Sequence, residues 1–362
     1  MENHSKNDAQ HWIRQEIRDL SAYHVADASG MIKLDAMENP YVWPDELRQQ
    51  WKDLLAHTDV NRYPDPSGHQ LKQQLRQAMN IPADMEILLG NGSDEIIQVI
   101  ALALSGSGRS ILSVDPGFVM YKMIATFCGL KYIGVPLREA DFSLDLPAIL
   151  QAMDQHQPAV VFLAYPNNPT GNLFDEQQVI KIIEAAPGLV VIDEAYAPFT
   201  DETFLNRLGK YDNLVVMRTV SKMGLAGLRL GYLAGPPDWL NEFEKLRLPY
   251  NINTLTQLSA ELALKNHTVF DEQTTRIRQQ RSVVNTMLAQ IDGLKVYPSD
   301  ANFILVKTAT GQAKRIHSAL KEKGILIKLL DGSTLMLKDC LRITIGTEEE
   351  NQRLLSSLAT SL

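Results

Sequence analysis

Between residues 110 and 234 the chain repeats one pattern: an apolar, β-rich run, a polar loop, then a helical stretch. The apolar runs fall at residues 110–114, 132–135, 159–164, 190–192, 214–217 and 231–234. They are continuous rather than alternating, which marks strands buried on both faces. Helical segments at 119–128, 145–156 and 175–186 lie between most of them. An earlier short strand, 87–89, runs through Gly90-Asn91-Gly92 into an apolar helix, 96–104. The expected fold class is α/β: a large domain with a mainly parallel seven-stranded sheet, covered by helices on both faces.

A length of 362 residues exceeds what one core usually serves, so a second unit is expected. From about residue 249 the pattern changes. Long helices at 254–265 and 270–290 are followed by short strands at 294–297, 303–306, 325–327 and 341–345. A helix at 313–323 falls among them and one at 348–358 follows, so this part reads as a smaller α+β domain. Upstream, residues 1–20 place Trp12, Ile13, Ile17 and Leu20 at helical spacing, and 32–35 reads as a strand. Helices follow at 45–56, behind Pro44, and at 70–79. The expected division is an N-terminal arm with part of the small domain at 1–44, a large domain at 45–250 and a small domain at 251–362.

A formal net charge of −8 argues against non-specific nucleic-acid binding. No run approaches the ~18 apolar residues of a membrane span, and the polar first 15 residues lack a signal-peptide core. Cys128 and Cys340 sit in apolar surroundings without metal-ligand spacing. A reduced cytoplasmic protein is expected, with no metal, membrane or nucleic-acid partner.

In a parallel sheet, ligands bind at the carboxyl ends of the strands. Here those ends lead into Asp115-Pro116-Gly117-Phe118, Tyr165-Pro166-Asn167-Asn168-Pro169-Thr170-Gly171, Asp193-Glu194-Ala195-Tyr196, and Ser221-Lys222 with Arg229 seven residues beyond the lysine. A lysine in a dry pocket near other cations loses its proton readily and can form a Schiff base; otherwise it is a snorkelling residue on a loop. A Schiff-base lysine needs a carbonyl cofactor, and pyridoxal 5'-phosphate makes demands these residues can meet. Asp193 is the candidate for the pyridine nitrogen, Asn168 and Tyr196 for the 3′-oxygen, and Phe118 for the ring face. Ser221, Arg229 and the helix start at Gly92, Ser93, Asp94 and Glu95 are candidates for the phosphate. Taken singly, each has a plain structural reading. Asp193 can cap a turn, Ser93-Asp94 can cap a helix, Asn168-Pro169-Thr170-Gly171 is a turn formula, and Arg229 can be a surface ion-pair residue. Their order along one α/β pattern argues for a single site.

Asn168-Pro169-Thr170-Gly171, Asp193-Glu194-Ala195-Tyr196, Ser221-Lys222 and Arg229 resemble the aspartate-aminotransferase fold family of pyridoxal-phosphate enzymes, over about residues 32–346. Within it the chain is most similar to the histidinol-phosphate aminotransferases. That likeness is carried by residues 17–23, Glu38-Asn39-Pro40-Tyr41, Arg62-Tyr63-Pro64-Asp65, Gly90 to Glu95, Gly227-Leu228-Arg229-Leu230-Gly231 and residues 340–347. The resemblance implies that Lys222 holds the cofactor and shuttles the proton between the substrate α-carbon and C4′. It implies that Asp193, Asn168, Tyr196, Ser221 and Arg229 bind the cofactor as above. Tyr63 would reach the cofactor phosphate of a neighbouring subunit, in a homodimer with shared active sites. Tyr23, Asn39, Asn168, Arg342 and Lys328 would lie on the substrate side. The implied reaction is transamination of L-histidinol phosphate with 2-oxoglutarate, small-molecule substrates both. The alternatives are an aromatic or broad-specificity aminotransferase, a threonine-phosphate decarboxylase, or a non-catalytic pyridoxal-phosphate-binding regulator. Two departures from the family stand out. One residue fewer than is common separates Lys222 from Arg229, and Lys328 stands where an arginine is usual.

Overall fold

A computed structural model describes residues 9–22 and 25–361. The large sheet has seven strands: β2 (Glu86–Gly90), β3 (Ser110–Asp115), β4 (Lys131–Pro136), β5 (Val160–Ala164), β6 (Leu189–Asp193), β7 (Leu214–Thr219) and β8 (Gly231–Gly235), with β1 (Ile32–Leu34) lying elsewhere. Their order is β2-β8-β7-β6-β5-β3-β4. The pairs among β3 to β7 are parallel, and β8 runs antiparallel to both β7 and β2.

The continuous apolar runs have a direct cause. Successive residues of a strand point to opposite faces, and both faces of this sheet are covered. Val190, Ile192 and Val216 enter one hydrophobic layer; Leu189, Val191, Val215 and Met217 enter the other. Fully burying each such side chain contributes on the order of 1.5–3 kcal/mol.

The second sheet has the order β1-β11-β12-β10-β9, with β9 (Leu294–Val296), β10 (Phe303–Thr308), β11 (Ile325–Leu329) and β12 (Cys340–Thr344). The N-terminal strand β1 lies parallel to β11, with Ile32 opposite Ile325. A third hydrophobic cluster, including Leu34, Phe303, Ile343 and Leu354, lies around this sheet.

Local chemistry sets the element ends. Asp145 and Asp175, expected as first helical residues, are N-caps whose carboxylates accept from Ala148 N and Gln178 N. Thr347 and Glu350 form a reciprocal capping box on the helix Glu348–Ala359. The helical pattern expected over residues 1–20 is two short helices, Ala9–Trp12 and Gln15–Arg18, interrupted at Ile13 and Arg14. A helix at Pro237–Glu244 was hidden behind its Pro236-Pro237 start. Several strands reach further than their apolar runs. Asp193 is the last residue of β6 and Thr219 the last of β7, so polar groups are carried to the sheet edge on ordered backbone. Among the described residues, no helix is long and apolar enough to cross a membrane, and no cluster of three or more His, Cys, Asp or Glu is arranged to hold a metal ion.

Candidate active site

At the carboxyl ends of β5, β6 and β7 lies a cavity of about 400 Å³, lined by Lys222, Asp193, Tyr196, Asn168, Ser221, Arg229, Ser93, Asp94 and Phe118. Its remaining wall includes Ala36, Met37 and Glu38, from the segment following β1.

Lys222 leaves β7 on a single π turn, Ser221–Leu225, in which Gly224 takes φ 127°. A 3₁₀ turn, Ala226–Leu228, follows, and Arg229 then adopts the left-handed conformation at φ 49°. This tight sequence of turns brings Arg229 against Gly92, at the start of the helix Ser93–Leu104. Its guanidinium lies against Gly92, where an added Cβ would come within 2.6 Å of Nη2, and 3.9 Å from Asp94. Lys222 Nζ donates to the Ala36 carbonyl at 3.1 Å and lies 6.0 Å from the centre of the Tyr196 ring. Burial, and then the charges of Arg342 and Arg229, lower its pKa to about 8, against the opposing pull of Glu38 and Asp94. An appreciable neutral fraction is therefore available near neutral pH.

Asp193 is buried. Its Oδ2 accepts from the Tyr121 hydroxyl at 2.6 Å and its Oδ1 from Ala195 N at 3.1 Å. Burial raises the carboxyl to about 6, and the two hydrogen bonds restrain the rise by favouring the ionised form. Tyr121 stacks on Phe162 with ring centres 4.8 Å apart and meets Phe118 edge-on at 5.4 Å, so its hydroxyl is held in place.

A cup beside Arg229 is built from backbone. Gly92, at φ 84°, caps the helix Ser93–Leu104, whose first N–H groups have no partner within the helix. Gly231 on β8 packs so closely that a Cβ there would lie 2.7 Å from Gly92 C and Ser93 N. Thr219 Oγ1 and Ser221 Oγ lie 2.8 Å apart, and Thr219 also donates to the Leu230 carbonyl at 3.0 Å. Hydroxyls, helix-terminal N–H groups and a guanidinium thus converge on one corner. That donor set suits a phosphate, as a buried carboxylate suits a pyridinium and Lys222 an aldehyde. The residues fit pyridoxal phosphate.

Arg342 joins this cavity to the second sheet. From β12 its Nη1 donates to Asn168 Oδ1 at 2.7 Å and its Nη2 to the Asp35 carbonyl at 3.0 Å. Asn168 Nδ2 in turn donates to the Tyr196 hydroxyl at 3.0 Å. Lys328 is the register partner of Arg342 across β11 and β12. A second cavity of about 400 Å³ is lined by Lys328, Arg342 and Lys122, and shares Met37, Phe118 and Asn168 with the first.

Three expected residues direct their side chains away from the first cavity. Asn39 is absent from both cavity walls: its Nδ2 donates to Met223 O and Gln273 Oε1, and its Oδ1 accepts from Tyr41 N, so it latches the lysine loop. The Glu95 carboxylate turns to Asn91 N and Asn251 Nδ2, leaving only its backbone for the cup. Tyr63 is 80% exposed and stacks on Tyr250 at 4.4 Å, away from this chain's own cavity. Tyr23 lies outside the described residues. Sequence reasoning missed Tyr121, Thr219, Lys122 and the Ala36 carbonyl. Tyr121 follows Phe118 by one helical turn, a spacing that could have revealed it.

The sequence matches the aminotransferase class I and II family over residues 29–358. It is 57% identical to histidinol-phosphate aminotransferase 2 of Nitrosococcus oceani, over 98% of each chain. It is 51% identical to the histidinol-phosphate aminotransferase of Chromobacterium violaceum, over 96% of this chain and 97% of that one. The structure resembles that of histidinol-phosphate aminotransferase from Sinorhizobium meliloti in complex with pyridoxal-5'-phosphate, with a TM-score of 0.86 over 99% of this chain and 98% of that one. At 24% identity, the latter is a likeness of fold.

Proposed function

We propose that this chain, which belongs to the class I and II aminotransferase family, is a pyridoxal-phosphate-dependent transaminase. Its amino donor is L-histidinol phosphate and its acceptor 2-oxoglutarate; its products are imidazole acetol phosphate and L-glutamate. The observation that carries the reading is the junction of two cavities at Phe118 and Asn168. One holds the lysine and the buried carboxylate, the other the cations of Arg342 and Lys328. The near-full-length similarity to histidinol-phosphate aminotransferases supports the choice of donor.

Bound pyridoxal phosphate supplies an electron sink for the bond broken at the donor's α-carbon. Asp193 keeps the ring nitrogen protonated. Asn168 and Tyr196 hold the 3′-oxygen, and Phe118 covers one ring face. The backbone from Gly92 to Glu95, the hydroxyls of Ser221 and Thr219, and Arg229 hold the phosphate. Lys222 Nζ would hold the cofactor through its aldehyde carbon and, once displaced by the donor's amine, would be free to carry the proton between the α-carbon and C4′. Arg342 holds the donor's phosphate and, in the return half-reaction, a carboxylate of 2-oxoglutarate, assisted by Lys328.

The reading includes a homodimer. The exposed Tyr63, near exposed Val60 and Leu248 in sequence or stacking distance of Tyr250, supports cover by a second copy, with Tyr63 reaching the partner's phosphate cup. It includes a cofactor-binding unit over residues 45–250 and a smaller unit from residues 251–362 with the 1–44 segment. It places the work in the cytoplasm, where the free, buried Cys128 and Cys340 stay reduced. A competition assay with 2-oxoglutarate as acceptor tests the donor: histidinol phosphate should outrank phenylalanine, tyrosine and threonine phosphate. A last place for histidinol phosphate would refute the assignment.

A further inference from the structure

We propose that Lys122 is a specificity-determining residue, seating the donor's phosphate from the large-sheet wall of the second cavity, opposite Lys328 and Arg342. The inference rests on the transaminase reading above.

Lys122 lies on the helix Val119–Phe127, which packs against β3 and β4 of the seven-stranded sheet. It follows Phe118 by four residues, so the two share a helix side, and both line the second cavity. Tyr121, next to it, points the other way to Asp193. Lys328 and Arg342 come from the five-stranded sheet, directly across from each other on adjacent strands. The cavity is thus approached by a cation from this helix and by two from the five-stranded sheet.

Three cationic side chains and one carboxylate line this cavity, in a chain of net charge −8. The carboxylate, Asp115, accepts from the Tyr132 hydroxyl at 3.1 Å. Lys122 makes no ion pair with any described residue. A carboxylate is matched by a single guanidinium fork. A phosphate monoester carries a charge of about −1.5 to −2 and three acceptor oxygens, and it has use for a further cation on another side. Lysine suits that place as a compact point charge on a long stem, while the fork on the opposite wall fixes orientation. Lys122 therefore separates phosphorylated donors from the carboxylate-bearing partner of the return reaction, which relies on Arg342.

The test uses the holoenzyme with Lys122→Gln and Lys122→Arg. Lys122→Gln should raise KM for histidinol phosphate about tenfold with kcat kept, and weaken competitive inhibition by inorganic phosphate by a similar factor. KM for 2-oxoglutarate should not move, and Lys122→Arg should restore KM to within about twofold. An unchanged KM and unchanged phosphate inhibition in Lys122→Gln, or an equal loss toward 2-oxoglutarate, would overturn the proposal while leaving the transaminase reading intact. A wild-type protein that transaminates other donors but ignores histidinol phosphate would overturn both.

Discussion

The Tyr121 hydroxyl donates to Asp193 Oδ2 at 2.6 Å, where both residues are buried. The bond favours the ionised carboxylate at a depth where burial favours the neutral one. Because the Asp193 pKa in the fold stands at about 6, above the ordinary 3.8, the cofactor-free fold holds a proton there that the unfolded chain has released. This group's contribution to stability therefore falls as pH rises from about 4 to about 6. Removing the hydroxyl in Tyr121→Phe raises the folded pKa further and extends the decline upward. Melting temperatures of cofactor-free wild type, Tyr121→Phe and Asp193→Asn across this range check it. Asp193→Asn should lack the decline, and identical wild-type and Asp193→Asn curves would refute the argument.

Lys222, with its pKa lowered to about 8, should capture free pyridoxal phosphate faster as pH rises, because the neutral amine is the nucleophile. The capture rate should climb between pH 6 and about 8 and then level off. Lys222→Ala should lose turnover altogether. Substantial residual turnover would remove the lysine from its role.

Gly231→Ala sets a Cβ 2.7 Å from Gly92 C and Ser93 N. Both neighbours are backbone of the phosphate cup and have little freedom to yield. The expected cost is about 1–3 kcal/mol in unfolding free energy, together with weaker cofactor binding. Denaturant melts and cofactor titration measure the two effects. An alanine variant with unchanged affinity would show that the close approach plays no part in forming the cup.

Shared active sites can be tested by mixing. Tyr63→Ala and Lys222→Ala chains, each impaired alone, should recover up to about one quarter of wild-type activity when unfolded and refolded together, because hybrid dimers carry one complete site. No recovery from chains that demonstrably form dimers would place Tyr63 outside the partner's site.

The strands were legible because burial on both faces writes itself into the sequence as unbroken apolar runs such as Val190-Val191-Ile192. The polar strand ends that follow pointed to Asp193, Asn168 and Lys222, and these line one cavity. What escaped depends on long-range geometry. Nothing local tells that β8 runs against its neighbours, or that Arg229 turns left-handed to meet Gly92. Tyr121 looks like any core aromatic until its hydroxyl is seen against Asp193. Thr219 is an ordinary strand-end hydroxyl in the sequence, and only its 2.8 Å approach to Ser221 Oγ brings it to the site. The Asn39 amide meets Met223, Gln273 and Tyr41, and the first two are partners that no local pattern around it reveals.

The carbonyls of Asp35 and Ala36, which accept from Arg342 and Lys222, follow directly on β1. That strand is held by β11, near the other end of the chain. All seven strands of the large sheet have been synthesised once residue 235 has left the ribosome. The residues of the lysine site have then been made, but β1 still lacks the strand it pairs with. It waits through the synthesis of the last third of the chain. The carbonyl that accepts from the lysine thus rests on a strand whose partner comes far later in the sequence, and this wall of the site closes only when β1 and β11 pair.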